Sequence, residues 1–193
     1  PVDVQALDVD FYAFSGHKCY GPTGVGVLWG RQQLLADMPP YMTGGGMIER
    51  VTVEQTRYLK DYRRFEAGTP PVAQAIGLGT ALDWLGQLPW PAIRHHEQQL
   101  MQRLLVGLRN VDGLNLLGES SLAHRAPIFS FDIEGCHSHD VCQVLDDYGV
   151  ALRGGHHCAQ PLMDALGLVA TSRSSLAVFN NAQDIEALIT GLN

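Results

Sequence analysis

Val9-Asp10-Phe11-Tyr12-Ala13-Phe14-Ser15-Gly16-His17-Lys18-Cys19-Tyr20-Gly21-Pro22-Thr23-Gly24-Val25-Gly26-Val27-Leu28-Trp29 is the stretch on which the reading of the fold turns. Val9 to Phe14 is a short apolar and aromatic run, the pattern of a buried strand, and Ser15-Gly16 breaks it. Val25 to Trp29 is a second strand, bounded by Gly24 and Gly30. Between residues 11 and 30 the sole Asp, Glu, Lys or Arg is Lys18, where the chain's overall 17% charged content puts about three. A lysine held in apolar surroundings loses preference for its charged form, and the free amine is what condenses with a carbonyl. Ser15 and His17 stand beside it, where a hydroxyl and an imidazole suit a phosphate. That set suits a cofactor held by both an imine and a phosphate, pyridoxal phosphate. The competing reading is a lysine whose head extends into water from a strand end.

Outward from that stretch, helical and extended patterns alternate, which places the chain in the α/β class. Gln32 to Asp37 is a short helix stopped by Pro39-Pro40, and Met42 to Met47 is a glycine-rich loop. Thr69-Pro70-Pro71 predicts a helix start with Thr69 as N-cap. Val72, Ala75, Ile76, Gly79 and Leu82 then predict the core face of a helix to about Leu85. Gln87-Leu88-Pro89-Trp90-Pro91 marks a boundary, giving domains 1-88 and 89-193. Beyond it, Leu100, Met101, Leu104, Leu105 and Leu108 form one apolar helix face. Ile128 to Ile133 alternates as a strand does. Val141, Val144, Leu145 and Tyr148 form a helical stripe closed by Gly149. Val150 to Leu152 is assigned as a short strand. Asn181 caps a final helix that carries Ile185, Leu188, Ile189 and Leu192.

The chain has 193 residues, 46% apolar and 17% charged, with 13 Lys and Arg against 20 Asp and Glu, a net charge of −7. This is globular composition with enough length for a real core. The acidic balance argues against a general nucleic-acid or membrane-surface partner. The longest window free of Asp, Glu, Lys and Arg, Ala67 to Leu82, is 16 residues and contains Pro70-Pro71. A bilayer span needs about 20. The first residue is Pro1 and no signal-peptide pattern follows, so the start is expected to be a cut.

Four cysteines, at 19, 136, 142 and 158, are too few for a disulfide scaffold and imply free thiols in the cytoplasm. Arg153-Gly154-Gly155-His156-His157-Cys158 sets one thiol among basic groups. A cysteine of pKa about 8.5 is about 3% thiolate at neutral pH, and a cation that lowers it by one unit raises this to about a quarter. A reactive thiol and a buried structural one both fit these residues. Cys136-His137-Ser138-His139 and Cys142 are metal-capable, but their spacing matches no standard finger and the helical stripe begins there. No metal site is assigned. His95-His96 is expected at the surface.

Taken together, the motifs carry a resemblance. Ser15 to Gly24 (SGHKCYGPTG) is similar to the cofactor-lysine motif of the cysteine desulfurases of the SufS/CsdA group. Phe65 to Pro70 (FEAGTP), Arg153 to Met163 (RGGHHCAQPLM) and Ser172 to Ala177 (SRSSLA) resemble three further segments of that group, in the same order. The resemblance covers essentially the whole chain. It implies the pyridoxal-phosphate-dependent transferase fold type I, with part of the large domain followed by a small C-terminal α/β domain.

The resemblance also implies roles. Lys18 would anchor pyridoxal 5'-phosphate and move a proton, and Ser15 and His17 would hold the cofactor phosphate. Thr69 would reach the phosphate of a neighbouring subunit, which implies a homodimer. Cys158 would attack the sulfur of L-cysteine and become a persulfide. Arg173 would bind the substrate carboxylate, with Arg153 and His156 lining the pocket. L-alanine and sulfur for an acceptor protein of the SufE/CsdE type would be the products, with iron–sulfur cluster assembly one use. The group's residues for the cofactor ring lie upstream of residue 1, so the chain would be a C-terminal half, inactive alone. A selenocysteine lyase, another class V aminotransferase relative and a non-catalytic fragment are the alternatives.

Overall fold

The computed structural model describes residues 2–119 and 121–193. It divides into two compact units, Pro1–Leu88 and Pro89–Asn193.

In the first unit, β1 (Phe11–Ser15) and β2 (Gly26–Gly30) pair antiparallel, with Phe14 opposite Val27 and Ser15 opposite Gly26. Both strands sit one or two residues later than the apolar runs predict. A tight 3-10 turn, Gly16–Lys18, follows β1. Helix α1 (Gln32–Asp37) occupies the expected residues. A hairpin of β3 (Ile48–Val51) and β4 (Thr56–Tyr58) comes next. It escaped the sequence reading because most of its side chains face solvent and show no buried alternation. The glycine loop before it is pinned at one end by fully buried Met47. At Gly45, the carbonyl accepts the Gly68 amide at 2.9 Å.

Helix α2 spans Val72–Gln87, and Pro71 stands at its N-cap without a side-chain bond. Thr69 therefore does not cap it, which corrects the expectation: two prolines delay the first helical residue to Val72. The inward face is also displaced. Val72 and Ile76 are exposed, the latter at 67%, whereas Leu78 is buried. The packing that decides this is local: a Cβ on Gly21 would lie 2.9 Å from Leu78, and one on Gly77 would lie 3.2 Å from Pro22. Small residues let α2 settle on the Gly21-Pro22 segment, and this holds the turn that bears Lys18.

The second unit is built on a four-stranded antiparallel sheet in the order β5-β6-β8-β7. Its strands are β5 (Leu114–Leu116), β6 (Ile128–Ile133), β7 (Arg153–Gly155) and β8 (Thr171–Ser175). Helices α3 (Trp90–Leu108), α4 (Ser138–Asp147) and α6 (Ala182–Leu192) supply the apolar side of the core. Leu100, Met101, Leu104, Leu105 and Leu108 of α3 are all buried, with Phe129, Phe131, Val141, Leu145, Ile185 and Leu188. Close helix contact is set by small residues, since a Cβ on Gly107 would meet Ile189 at 2.6 Å and one on Gly191 would meet Leu145 at 2.7 Å.

Helix α6 has the expected cap: the Asn181 side chain accepts the Gln183 amide and Asp184 accepts the Asn181 amide. In α4, Val141 and Leu145 face inward as the stripe predicts, but Val144 and Tyr148 are each 52% exposed. Val150–Leu152 is not a strand. The Val150 amide closes the end of α4 by donating to Leu145 across left-handed Gly149, so it is spent on the helix and not on a ladder. The strand begins at Arg153. Helix α5 (Gln160–Leu166) ends at left-handed Gly167, with the Leu168 amide on the Met163 carbonyl.

Candidate active site

Lys18 closes the 3-10 turn after β1. Gly16 makes that turn possible: it is buried, its amide donates to the Val25 carbonyl at 2.9 Å, and its carbonyl accepts from Cys19 and Gly21. A Cβ there would lie 2.9 Å from the Val25 side chain. The result places Ser15, His17 and Lys18 within one turn. Lys18 and His17 are exposed, and Ser15 is half-buried and does not cap the turn. The expected apolar enclosure of Lys18 is thus absent from this unit: the uncharged residues around it are spent on pairing β1 with β2 and seating Gly16. Among the described residues Lys18 makes no ion pair. Hydroxyl, imidazole and amine on one turn suit a phosphate and a carbonyl carbon. Thr69 is exposed just before α2 in the same unit.

Cys158 stands on the second unit, in the turn between β7 and α5. The Ala159 amide donates to the His156 carbonyl at 2.9 Å. The two residues inside this turn, His157 and Cys158, both have left-handed φ, 54° and 61°. Glycine and asparagine favour such positions. For a histidine and a cysteine the conformation costs about 1–2 kcal/mol each. Cys158 is exposed, and the Arg153 guanidinium donates to its Sγ at 3.4 Å.

Register brings the second arginine in. Arg153 of β7 pairs with Arg173 of β8, and Arg173 pairs in turn with Ser130 of β6. These residues share the sheet face opposite Phe129 and Phe131, because side chains alternate along a strand. Arg173 is half-buried, and its Nε is buried without a hydrogen-bond partner in the described structure. His156 is exposed at the start of the turn.

The layer beneath is polar and was not assigned from sequence. Thr171, Ser172 and Ser174 of β8 and Ser138 of α4 are buried. The Ser172 hydroxyl donates to the Ser138 carbonyl at 3.3 Å. Gly154 lies against α4 so closely that a Cβ would stand 3.0 Å from that carbonyl and from the His139 ring, and 3.1 Å from Cys142 Sγ. Burial pushes the half-buried Cys142 thiol up, against a lowering contact from Ser172. His157, also unassigned, places Nε2 at 2.8 Å from Thr171 Oγ1 and 3.0 Å from its carbonyl. Burial holds this imidazole below its usual range, and Arg173, Arg153 and His156 push the same way, against a raising contact from Thr171. Only the basic clustering of the motif hinted at this.

His137 is the N-cap of α4 and accepts the His139 amide at 3.2 Å. Among the described residues no group of three or more His, Cys, Asp or Glu is placed to hold a metal. No described helix is long and apolar enough to cross a membrane.

Comparison with known proteins adds the following. The sequence matches the aminotransferase class-V family over residues 1–188. A probable cysteine desulfurase 2 of Mycobacterium leprae is 47% identical over 192 residues, 100% of this chain and 46% of that protein. A cysteine desulfurase of Dickeya dadantii is 49% identical over 193 residues, again 46% of its length. Among solved structures, the cysteine desulfurase CsdA from Escherichia coli (S-sulfonic acid) gives a TM-score of 0.92 at 40% identity, covering 100% of this chain and 47% of that one. An apo cysteine desulfurase from Thermococcus onnurineus gives 0.91 at 37% identity, covering 97% and 47%. The chain spans about half the length of the curated relatives it matches.

Proposed function

The chain belongs to the aminotransferase class-V family, and from that premise we propose that it is the C-terminal half of a pyridoxal-phosphate-dependent cysteine desulfurase. The enzyme converts L-cysteine to L-alanine and retains the sulfur as a persulfide on Cys158. The observation that carries this reading is an exposed thiol on a strained turn, with a guanidinium on its sulfur and a second arginine opposite the first. Residues 1-88 are the C-terminal part of the large cofactor domain, and residues 89-193 the small domain that bears the thiol.

Pyridoxal phosphate, when bound, supplies an electron sink for the substrate's carbon framework. Lys18 anchors it through Nζ and afterwards holds and returns a proton there. Ser15 and His17 take its phosphate, and Thr69 reaches the phosphate of a second subunit in a homodimer. Arg173 pairs with the substrate carboxylate through its planar fork. Arg153 and His156 line the same pocket. Cys158 attacks the substrate sulfur as the thiolate: an S–S bond forms and the C–S bond breaks. The electron pair of that bond stays with carbon, which takes a proton to become the alanine methyl group.

The sulfur passes on this reading to an acceptor protein of the SufE/CsdE type in the cytoplasm, and the exposure of Cys158 supports its delivery to a second protein. Iron–sulfur cluster assembly is one use such sulfur would serve. The test is Cys158→Ala in the full-length protein with L-cysteine as substrate. Loss of both alanine and sulfide release is expected, and undiminished release would overturn the assignment of Cys158.

A further inference from the structure

The turn that presents Cys158 is unfavourable by itself, since both of its central residues are left-handed and neither is glycine. Something must hold it. Its own backbone contributes one bond, from the Ala159 amide to His156. A further hold comes from the His157 side chain. Its Nε2 lies 3.0 Å from the Thr171 carbonyl, which can only accept, so Nε2 carries the hydrogen. The Thr171 hydroxyl at 2.8 Å shares that contact. Nδ1 is then a bare lone pair, and it is buried without a partner in the described structure. Thr171 is a firm anchor: it is fully buried, it pairs with Gly155, and it stands two residues before Arg173 on β8.

We propose that His157 is a positioning residue for sulfur transfer: its Nε2–H bond to Thr171 clamps the β7–α5 turn and fixes Cys158 Sγ beside Arg153. It touches no reacting atom and acts through the backbone of its neighbour. Burial and the cations around the ring hold its basicity below the usual range, against a raising contact from Thr171. The inference rests on the proposed desulfurase reading for its kinetic consequence, but the geometry of the thiol can be probed without turnover.

The test compares two variants of the full-length holoenzyme. His157→Asn suits a left-handed position and so is compatible with the turn, but its side chain is too short to reach Thr171. His157→Gln fits the turn less well, yet its amide N–H extends about as far as the histidine Nε2. For L-cysteine, kcat of His157→Asn should fall about tenfold or more, the scale of a misplaced reacting group, with KM nearly unchanged. His157→Gln should restore most of kcat. The rate at which iodoacetamide alkylates Cys158, followed by peptide mass spectrometry, should change in the Asn variant and return in the Gln variant. Parental kcat and parental alkylation in His157→Asn would overturn the clamp, as would a loss that Gln fails to rescue. If the parent releases no sulfur, the desulfurase reading fails, and the alkylation comparison still decides the clamp.

Discussion

Arg153 and Arg173 face each other directly across the antiparallel pairing of β7 and β8, on one side of the sheet. Like charges in that relation destabilise a sheet. A fold that keeps them there gives up stability for a place where an anion can be held. The Arg173 Nε, buried without a partner, has the same meaning. Replacing Arg173 by Ala should therefore leave thermal stability unchanged or slightly raised. On the proposed desulfurase reading, KM for L-cysteine should rise by about 10- to 100-fold, the worth of one charge-assisted hydrogen bond. A large fall in melting temperature with unchanged KM would show the arginine to be structural.

Gly154 is a contact of a different kind, because it lets α4 approach β7. In Gly154→Ala the new methyl group meets a carbonyl oxygen, a ring and a sulfur at 3.0 to 3.1 Å. Overpacking of this sort costs about 1–3 kcal/mol. Urea denaturation should show that loss, and alkylation of Cys158 should change with it, since β7 leads directly into the thiol's turn.

In the core, Leu104 is fully buried between α3 and the sheet. Leu104→Ala should cost about 2–5 kcal/mol, the range for a leucine cavity that relaxes only partly. Thermal unfolding checks it, and a loss below about 1 kcal/mol would mean the site collapses freely.

The His157 ring gives a pH dependence with a definite sign. Its folded pKa lies below the ordinary 6.5, mainly through burial. The unfolded chain therefore takes up this proton first as pH falls. The contribution of His157 to stability is fully present above about 6.5, falls as pH drops through that value, and levels off below the folded pKa. Unfolding free energies between pH 7.5 and 5 should decline less steeply in His157→Gln than in the parent. Equal slopes would remove His157 from the titration.

At the other end of the unit, Asn181→Ala should cost about 1 kcal/mol by removing the cap of α6. Asp184 completes that cap, and its bonds to the Asn181 amide and the Asn180 side chain hold its carboxyl below the usual 3.8. This stabilisation is present above 3.8 and disappears as pH falls through the depressed folded value. Acid unfolding curves of the parent and of Asp184→Ala should converge there.

What the sequence disclosed follows physical period. The apolar face of α3, the alternation of β6 and the cap of α6 each repeat a local rule over several residues, and each stands where that rule puts it. The two strands nearest the thiol obey no such rule. β7 is Arg-Gly-Gly and β8 is Thr-Ser-Arg-Ser-Ser, so neither has apolar side chains to alternate, and pairing alone makes them strands, β8 against β6 and β7 against β8. The apolar run Val150–Leu152 drew the strand assignment three residues too early for the same reason. The site divides likewise. Cys158 and Arg153 are neighbours in sequence, so their contact was within range of a motif. The meeting of Arg153 with Arg173, and of His157 with Thr171, depends on strand register and a turn, which local pattern does not specify.

The turn that carries Cys158 also fixes what the thiol can travel. Four residues, His156 to Ala159, join a sheet strand to a helix, and one backbone bond closes them. A chain that short and crossed by a hydrogen bond is a peg and not a swinging arm. The sulfur atom cannot leave the edge of the sheet without breaking the turn. On the proposed desulfurase reading, whatever donates sulfur to it, or collects sulfur from it, must make the journey itself.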